Sequence, residues 1–381
     1  MDTTEKIRRL CEKFNVLFPK VREQNYLHVY EYLAKGEFSP IPPISIQPFL
    51  GPEDLETTLR NIRNGWNFTP YEAITEGLEG IVTAMESGEA FTPVMGTSTG
   101  VNDIPSVFVE IVFAPQASGG CPVRNLTCEE ILNYDERNCM NLGFMLRIKE
   151  RIDIMKNLLP KEIQISLPNM QGPFNIAHTL LGSDIFLMVH DRPEMMLSVL
   201  QKITGIWIAI HRNLVDIIGD RICRTPNTFY LVAECSCNLI SKDVYYRIVR
   251  PCDRMIADYL GKIAFHTCNG RHVFEVTLEE FPETVYTESA ISMSLVPCAS
   301  LDESLAKIRE LKREVILHAG QELKEQGKEA KVIKDYVLKI KEYPRLMLDF
   351  SVMHWGNKDV ERVKQLKREI WSFYRGNVLE N

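Results

Sequence analysis

The chain has 381 residues, 45% hydrophobic and 25% charged, and its 44 Lys+Arg against 51 Asp+Glu leave a net charge of −7. That composition supports a large apolar core. The mild negative balance, with no long basic block, excludes sequence-independent binding to nucleic acid, which needs a basic surface to displace counterions.

The first residues are polar and charged, so no signal peptide is expected there. Ile7, Leu10, Phe14, Leu17 and Phe18 then recur at spacings of three and four, which predicts an amphipathic helical stretch over residues 5–35. Pro40, Pro42 and Pro43 end it, giving an N-terminal helical cap over residues 1–43. Short runs rich in β-branched or aromatic residues follow at 44–49, 91–95, 163–167, 229–233, 263–266, 284–287, 315–318 and 345–350, and are read as strands. Helical patterns with recognisable starts lie between them. Asp191-Arg192-Pro193-Glu194 precedes 195–218, Ser241-Lys242-Asp243 precedes 244–260, Ser300-Leu301-Asp302-Glu303 precedes 305–311, and Asn357-Lys358-Asp359 precedes 360–373. Residues 322–331 read as a solvated helical face.

Strand then helix, repeated about eight times with few hairpin signals, predicts an α/β chain forming a (β/α)8 TIM-type barrel over residues 44–381. An open doubly wound sheet is the competing arrangement. Residues 97–145, with Gly119-Gly120 and little periodicity, read as a long insertion. The most apolar region, 197–218, is interrupted by Lys202, His211, Arg212 and Asp216, so no membrane span is expected and a cytoplasmic location is. The ten cysteines are scattered and read as reduced thiols, available as ligands.

In a barrel, chemistry gathers at the C-terminal ends of strands. His266 and Cys268 lie at such an end with a spacing of two, which places both on one side of an extended chain. Imidazole nitrogen with thiolate sulfur suits Zn²⁺; a core histidine beside a buried thiol is the alternative. His354, just after the last strand run, would supply a third ligand and leave a fourth position open, as in catalytic zinc sites. Cys298, Cys235 and Cys237 are rival third ligands. Glu234, at the end of the 229–233 strand, is the candidate for proton transfer, metal ligation or orientation of a ligand. Asn169 and Gln171, just beyond the 163–167 strand, are candidate pocket-lining residues for substrate. Residues 320–328 do not form a phosphate loop, because the glycine spacing is wrong and Glu329 stands where Ser or Thr is required. No dinucleotide, His-Glu-x-x-His or Gly-x-Ser-x-Gly signature is found.

Gly172-Pro173-Phe174-Asn175-Ile176-Ala177, Leu181-Gly182, Asp191-Arg192-Pro193-Glu194, Asn238-Leu239-Ile240-Ser241 with Val249-Arg250-Pro251, and His266-Thr267-Cys268 occur in that order over about residues 160–370. This set resembles the uroporphyrinogen decarboxylase superfamily. The resemblance implies a distorted (β/α)8 barrel and two functional branches. The Arg-Gln-Ala-Gly-Arg string of the true decarboxylases is missing, and the opening strand reads Pro43-Ile44-Ser45-Ile46-Gln47-Pro48. The other branch comprises zinc-dependent methyltransferases that work with corrinoid proteins, in which a His-x-Cys pair and a later cysteine bind zinc. His266 and Cys268 match the pair, His354 stands near the cysteine position, and Asn269 replaces a glycine.

On this resemblance the expected function is zinc-dependent methyl transfer between a corrinoid (cobalamin) carried by a partner protein and a thiol acceptor or methylated small-molecule donor. Metal would be held by His266, Cys268 and His354. Two alternatives stand beside it. One is a decarboxylase or lyase of a carboxylated, tetrapyrrole-like substrate, using arginines such as Arg124 or Arg271. The other is a non-catalytic partner that binds a corrinoid or tetrapyrrole. Self-association as a homodimer is left open.

Overall fold

A computed structural model describes residues 2–48, 68–113, 120–267, 271–292, 299–353 and 360–380. Each of the eight expected strand positions carries a strand. In chain order the strands are β1 (Ile44–Pro48), β2 (Val94–Met95), β3 (Ile111–Val112), β4 (Cys121–Pro122), β5 (Gln164–Ile165), β6 (Leu231–Ala233), β7 (Ile263–His266), β8 (Thr284–Ser292), β9 (Ile316–Leu323) and β10 (Leu346–Val352). The short antiparallel pair β3 and β4 falls inside the 97–145 stretch and has no counterpart among the expected strands. The chain is thus mixed α/β with mostly parallel pairing.

It divides into two compact units, one comprising residues 1–25 and 60–263, the other 26–59 and 264–381. In the first, helix Thr3–Val21 is the amphipathic segment expected at the N-terminus, and it buries Ile7, Cys11 and Phe14. The helical stretch does not run unbroken to residue 35. A 3-10 turn at Arg22–Gln24 divides it, and helix Leu27–Lys35 belongs to the other unit. β2 pairs with β5 in parallel, and parallel bridges join Ile165 to Ile222 and Gln171 to Ala233. Behind these strands, helix Pro193–Ile218 buries Met196, Val199, Leu200, Ile203, Trp207, Ile210 and Leu214, which explains its apolar sequence without a membrane. Among the described residues no helix is long and apolar enough to cross a bilayer.

The second unit holds the longer sheet, in the order β1-β10-β9-β8-β7, with β1, β10, β9 and β8 pairing in parallel. Ile44, Ile46, Leu317, Ala319, Leu346, Leu348, Phe350 and Val352 pack on one face with Leu305, Ile333, Val337, Leu366 and Ile370 of the covering helices. β8 and β9 extend well past the expected 287 and 318. Ala-Gly-Gln-Glu-Leu at 319–323 has little strand propensity by itself, but β9 is paired on both sides, and tertiary pairing overrides propensity. Glu322 is therefore on a strand rather than on the solvated helix expected at 322–331; that helix starts at Glu329.

An arginine closes a helix-to-strand connection in each unit, buried in the first and partly buried in the second. Arg221 donates to the carbonyls of Met155, Leu159, Pro160 and Ile163, where helix Met145–Leu158 ends ahead of β5. Arg313 donates to Leu278, Phe281, Pro282 and Thr284 ahead of β8. A guanidinium there satisfies carbonyls left over at a helix C-terminus and complements the helix dipole. Arg221→Met should lower unfolding free energy by roughly 3 kcal/mol, because buried carbonyls lose a charged donor. Urea denaturation with an unchanged midpoint would refute this account of Arg221.

Candidate functional site

The first unit gathers three of the sequence-derived candidates. The N-terminus of helix Pro173–Leu181 presents its first amides to Glu234, whose carboxylate accepts from Phe174 N at 3.1 Å and Asn175 N at 3.2 Å. Anionic groups are favoured at such a terminus. Asn175 donates its side-chain amide to Gln171 Oε1 at 2.7 Å and accepts from Ser236 N at 2.7 Å. Gln171 in turn donates to Asn169 Oδ1 at 2.7 Å. Asn169 N donates to the buried Asp103, which also accepts from Ser98 and Thr99. Asn169 and Gln171 are partly exposed and fixed by neighbours on both sides, so they can line a pocket with little freedom left to lose. His178 Nδ1 lies 2.9 Å from Ser236 Oγ, and burial holds its pKa below the ordinary value.

Glu234 itself is fully buried. Burial, with the neighbouring carboxyl of Asp253, pushes its pKa well above the usual carboxylate range. Asp253 is also raised by burial, and Tyr245 donates to it at 2.6 Å. Cys237 Sγ lies 3.6 Å from Glu234 Oε2, and its pKa is raised first by burial and then by both carboxyls. A one-turn π-helix, Tyr245–Val249, brings Tyr245 to this cluster. Two adjacent buried carboxyls do not both ionise cheaply, so the folded cluster retains protons that the unfolded chain releases above about pH 4. Stability therefore falls as pH rises from there toward the raised folded-state values, by at most about 1.4 kcal/mol per pH unit for each retained proton. Asp253→Asn should flatten that slope in thermal unfolding between about pH 5 and 8. An identical slope in both proteins would contradict the shared-proton account.

In the second unit, His266 ends β7, and its Nδ1 is hydrogen-bonded to the Glu288 carboxylate on β8. Tyr286 donates to Glu288 Oε1 at 2.7 Å and lies 2.8 Å from His318 Nδ1. Thr267 Oγ1 donates to the Glu288 carbonyl. Tyr286 is driven well above the usual tyrosine pKa, first by burial, and burial lowers His318. Cys268, His354 and Cys298, the other metal-ligand candidates, lie outside the described residues. Among the described residues no three His, Cys, Asp or Glu side chains form a group able to hold a metal ion. Cys235 and Cys237 belong to the first unit, where Cys237 is buried beside Glu234. Arg124 is exposed and paired with Glu130 at 2.6 Å, and the side chain of Arg271 is outside the description.

Glu288, Tyr286 and His318 were missing from the sequence-derived candidates, although a signal existed. A parallel strand covered on both faces is apolar throughout. Tyr286 with Glu288, and His318 with Glu322, place polar groups at alternate positions of such strands and so set one face apart from an ordinary apolar one.

No protein-family model matches the chain, and no curated protein matches it in sequence. A solved structure described as a methyltransferase from Methanosarcina mazei is similar to it, with a TM-score of 0.59 and 14% sequence identity. The likeness covers 90% of this chain and 97% of that chain, so it is a likeness of fold across nearly all of both.

Proposed function

We propose that the protein is a methyltransferase built on a (β/α)8 barrel, and that its reacting groups gather around His266. The observation that carries this reading is the pairing of His266 with Glu288 at the end of β7. A metal-ligating histidine almost always gives its second ring nitrogen to a carboxylate or carbonyl, which fixes the tautomer and the ring plane. The bond from Nδ1 to Glu288 gives the His266 ring the partner expected of a metal-ligating histidine. The His266 imidazole, backed by the Glu288 carboxylate, fits zinc, and Cys268 and His354 would complete a three-ligand set. Zinc bound there would supply a Lewis acid that favours thiolate at neutral pH. The similar solved structure is described as a methyltransferase, which agrees with this reading.

The chain's own residues do the rest. Glu288 holds His266, and Tyr286 holds Glu288. In the first unit, Glu234 fixes the start of helix Pro173–Leu181, and Asn175 of that helix holds Gln171, which holds Asn169. Glu234 thereby acts as a positioning residue. A corrinoid-bearing protein is the proposed methyl partner, with a thiol or methylated small molecule as the other substrate. The test is metal analysis of purified protein, followed by transfer of a methyl group from methylcobalamin to a thiol. Stoichiometric zinc with turnover supports the reading. Metal-free protein without turnover overturns it.

A further inference from the structure

We propose that the face of β8, β9 and β10 opposite the covering helices binds a small N-methylated ammonium ion with at least two N–H groups, and that Asp349 and His318 receive it. The methyl groups in this assignment rest on the methyl-transfer reading; the positive charge and the N–H groups rest on the site alone.

Strand alternation defines the face. Leu317, Ala319, Leu323, Leu346, Leu348, Phe350 and Val352 pack toward the helices, so His318, Gly320 and Glu322 on β9 and Met347, Asp349 and Ser351 on β10 point the other way. The register sets Glu288 beside His318, His318 beside Met347, and Asp349 beside Gly320. Asp349 Oδ1 and His318 Nε2 are both buried, and among the described residues neither has a hydrogen-bond partner. Each such atom costs about 1–3 kcal/mol unless something pairs with it.

The hydrogen bonds around His318 identify what is wanted. Tyr286 gives its proton to Glu288, and His318 Nδ1 faces Tyr286 Oη and Glu288 Oε1, which are acceptors, so Nδ1 carries the ring proton. Nε2 is then a lone pair. Two buried acceptors on neighbouring strands call for a ligand with two donors. Charge points the same way. Glu322 has Lys324 at 3.3 Å, and Glu288 is engaged by His266 and Tyr286, whereas Asp349 makes no ion pair among the described residues.

Room for the ligand lies at Gly320. Among the described residues a Cβ added there meets no atom within 4 Å, so the strand leaves space at Gly320, the register partner of Asp349. Glycine inside a strand weakens it and often marks a place where a ligand comes close.

Calorimetric titration of the full chain with methylammonium, dimethylammonium and tetramethylammonium chlorides and with sodium acetate tests the assignment. The first two should bind saturably, tetramethylammonium should bind at least about tenfold more weakly because it has no N–H, and acetate should not bind. Asp349→Asn should weaken methylammonium binding at least about tenfold, since it keeps the shape but loses the charge. Gly320→Val should abolish binding by filling the space, without lowering the thermal midpoint. If that variant does not fold, Asp349→Asn carries the test. Absence of methylammonium binding to the wild type, equal binding of acetate, or undiminished affinity in Asp349→Asn overturns the proposal. Binding without methyl transfer would overturn the methyltransferase reading alone.

Discussion

Gly172→Ala should destabilise the first unit by about 4 kcal/mol, a large share of the roughly 5–15 kcal/mol that holds a typical domain folded. Backbone strain is not the cause, because Gly172 has φ −72° and ψ 161°, which alanine adopts freely. The cause is the Glu234 carboxyl. A Cβ at residue 172 would lie 2.3 Å from Glu234 Cδ and Oε1 and 2.6 Å from Cγ. Glu234 is enclosed on all sides and cannot yield without abandoning Phe174 N and Asn175 N. Either the helix start shifts or the buried carboxyl loses its partners, and both are costly. A double-mutant cycle isolates the effect. In a Glu234→Ala background the added methyl has room, so Gly172→Ala should cost less than about 1 kcal/mol there. Additive losses in chemical denaturation would show that the contact does not explain the glycine.

His266→Ala should have the largest effect on activity. If His266 is a zinc ligand, its loss should remove bound zinc and reduce methyl transfer from methylcobalamin by about 10³-fold or more, since the group that activates the nucleophile goes with it. Glu288→Gln should be milder. It keeps an acceptor for Nδ1 but loses the charge, and outer partners of this kind change metal affinity or activity by about 10–100-fold. The order of the two effects is the informative result. Equal zinc content and turnover in wild type and His266→Ala would sink the assignment of His266. A Glu288→Gln protein indistinguishable from wild type in zinc affinity would remove Glu288 from the site.

The positions of the eight strands were legible because Val, Ile, Leu and Phe cluster where each begins. Their lengths were not, since pairing with neighbours carries Ala319, Gly320, Gln321 and Glu322 into β9 against local preference. Glu234, Asn169 and Gln171 were singled out through one rule, that chemistry gathers just after strands, and the three are linked in one hydrogen-bonded network through Asn175. That rule passes over residues within strands, which is where Glu288, His318 and Asp349 lie. The burial of Glu234 was invisible for another reason. It depends on the amides of Phe174 and Asn175, sixty and fifty-nine residues away, and local pattern carries no information about such contacts.

Arg221 and Arg313 have a consequence for engineering. Each arginine secures the approach to the N-terminal end of a strand, β5 or β8, while Asn169, Gln171 and Glu288 lie farther along the chain. Segments at the exit of those strands can therefore be lengthened, exchanged or randomised while the entrance stays anchored. A library confined to the exits and leaving both arginines in place would vary what the protein binds within a constant framework.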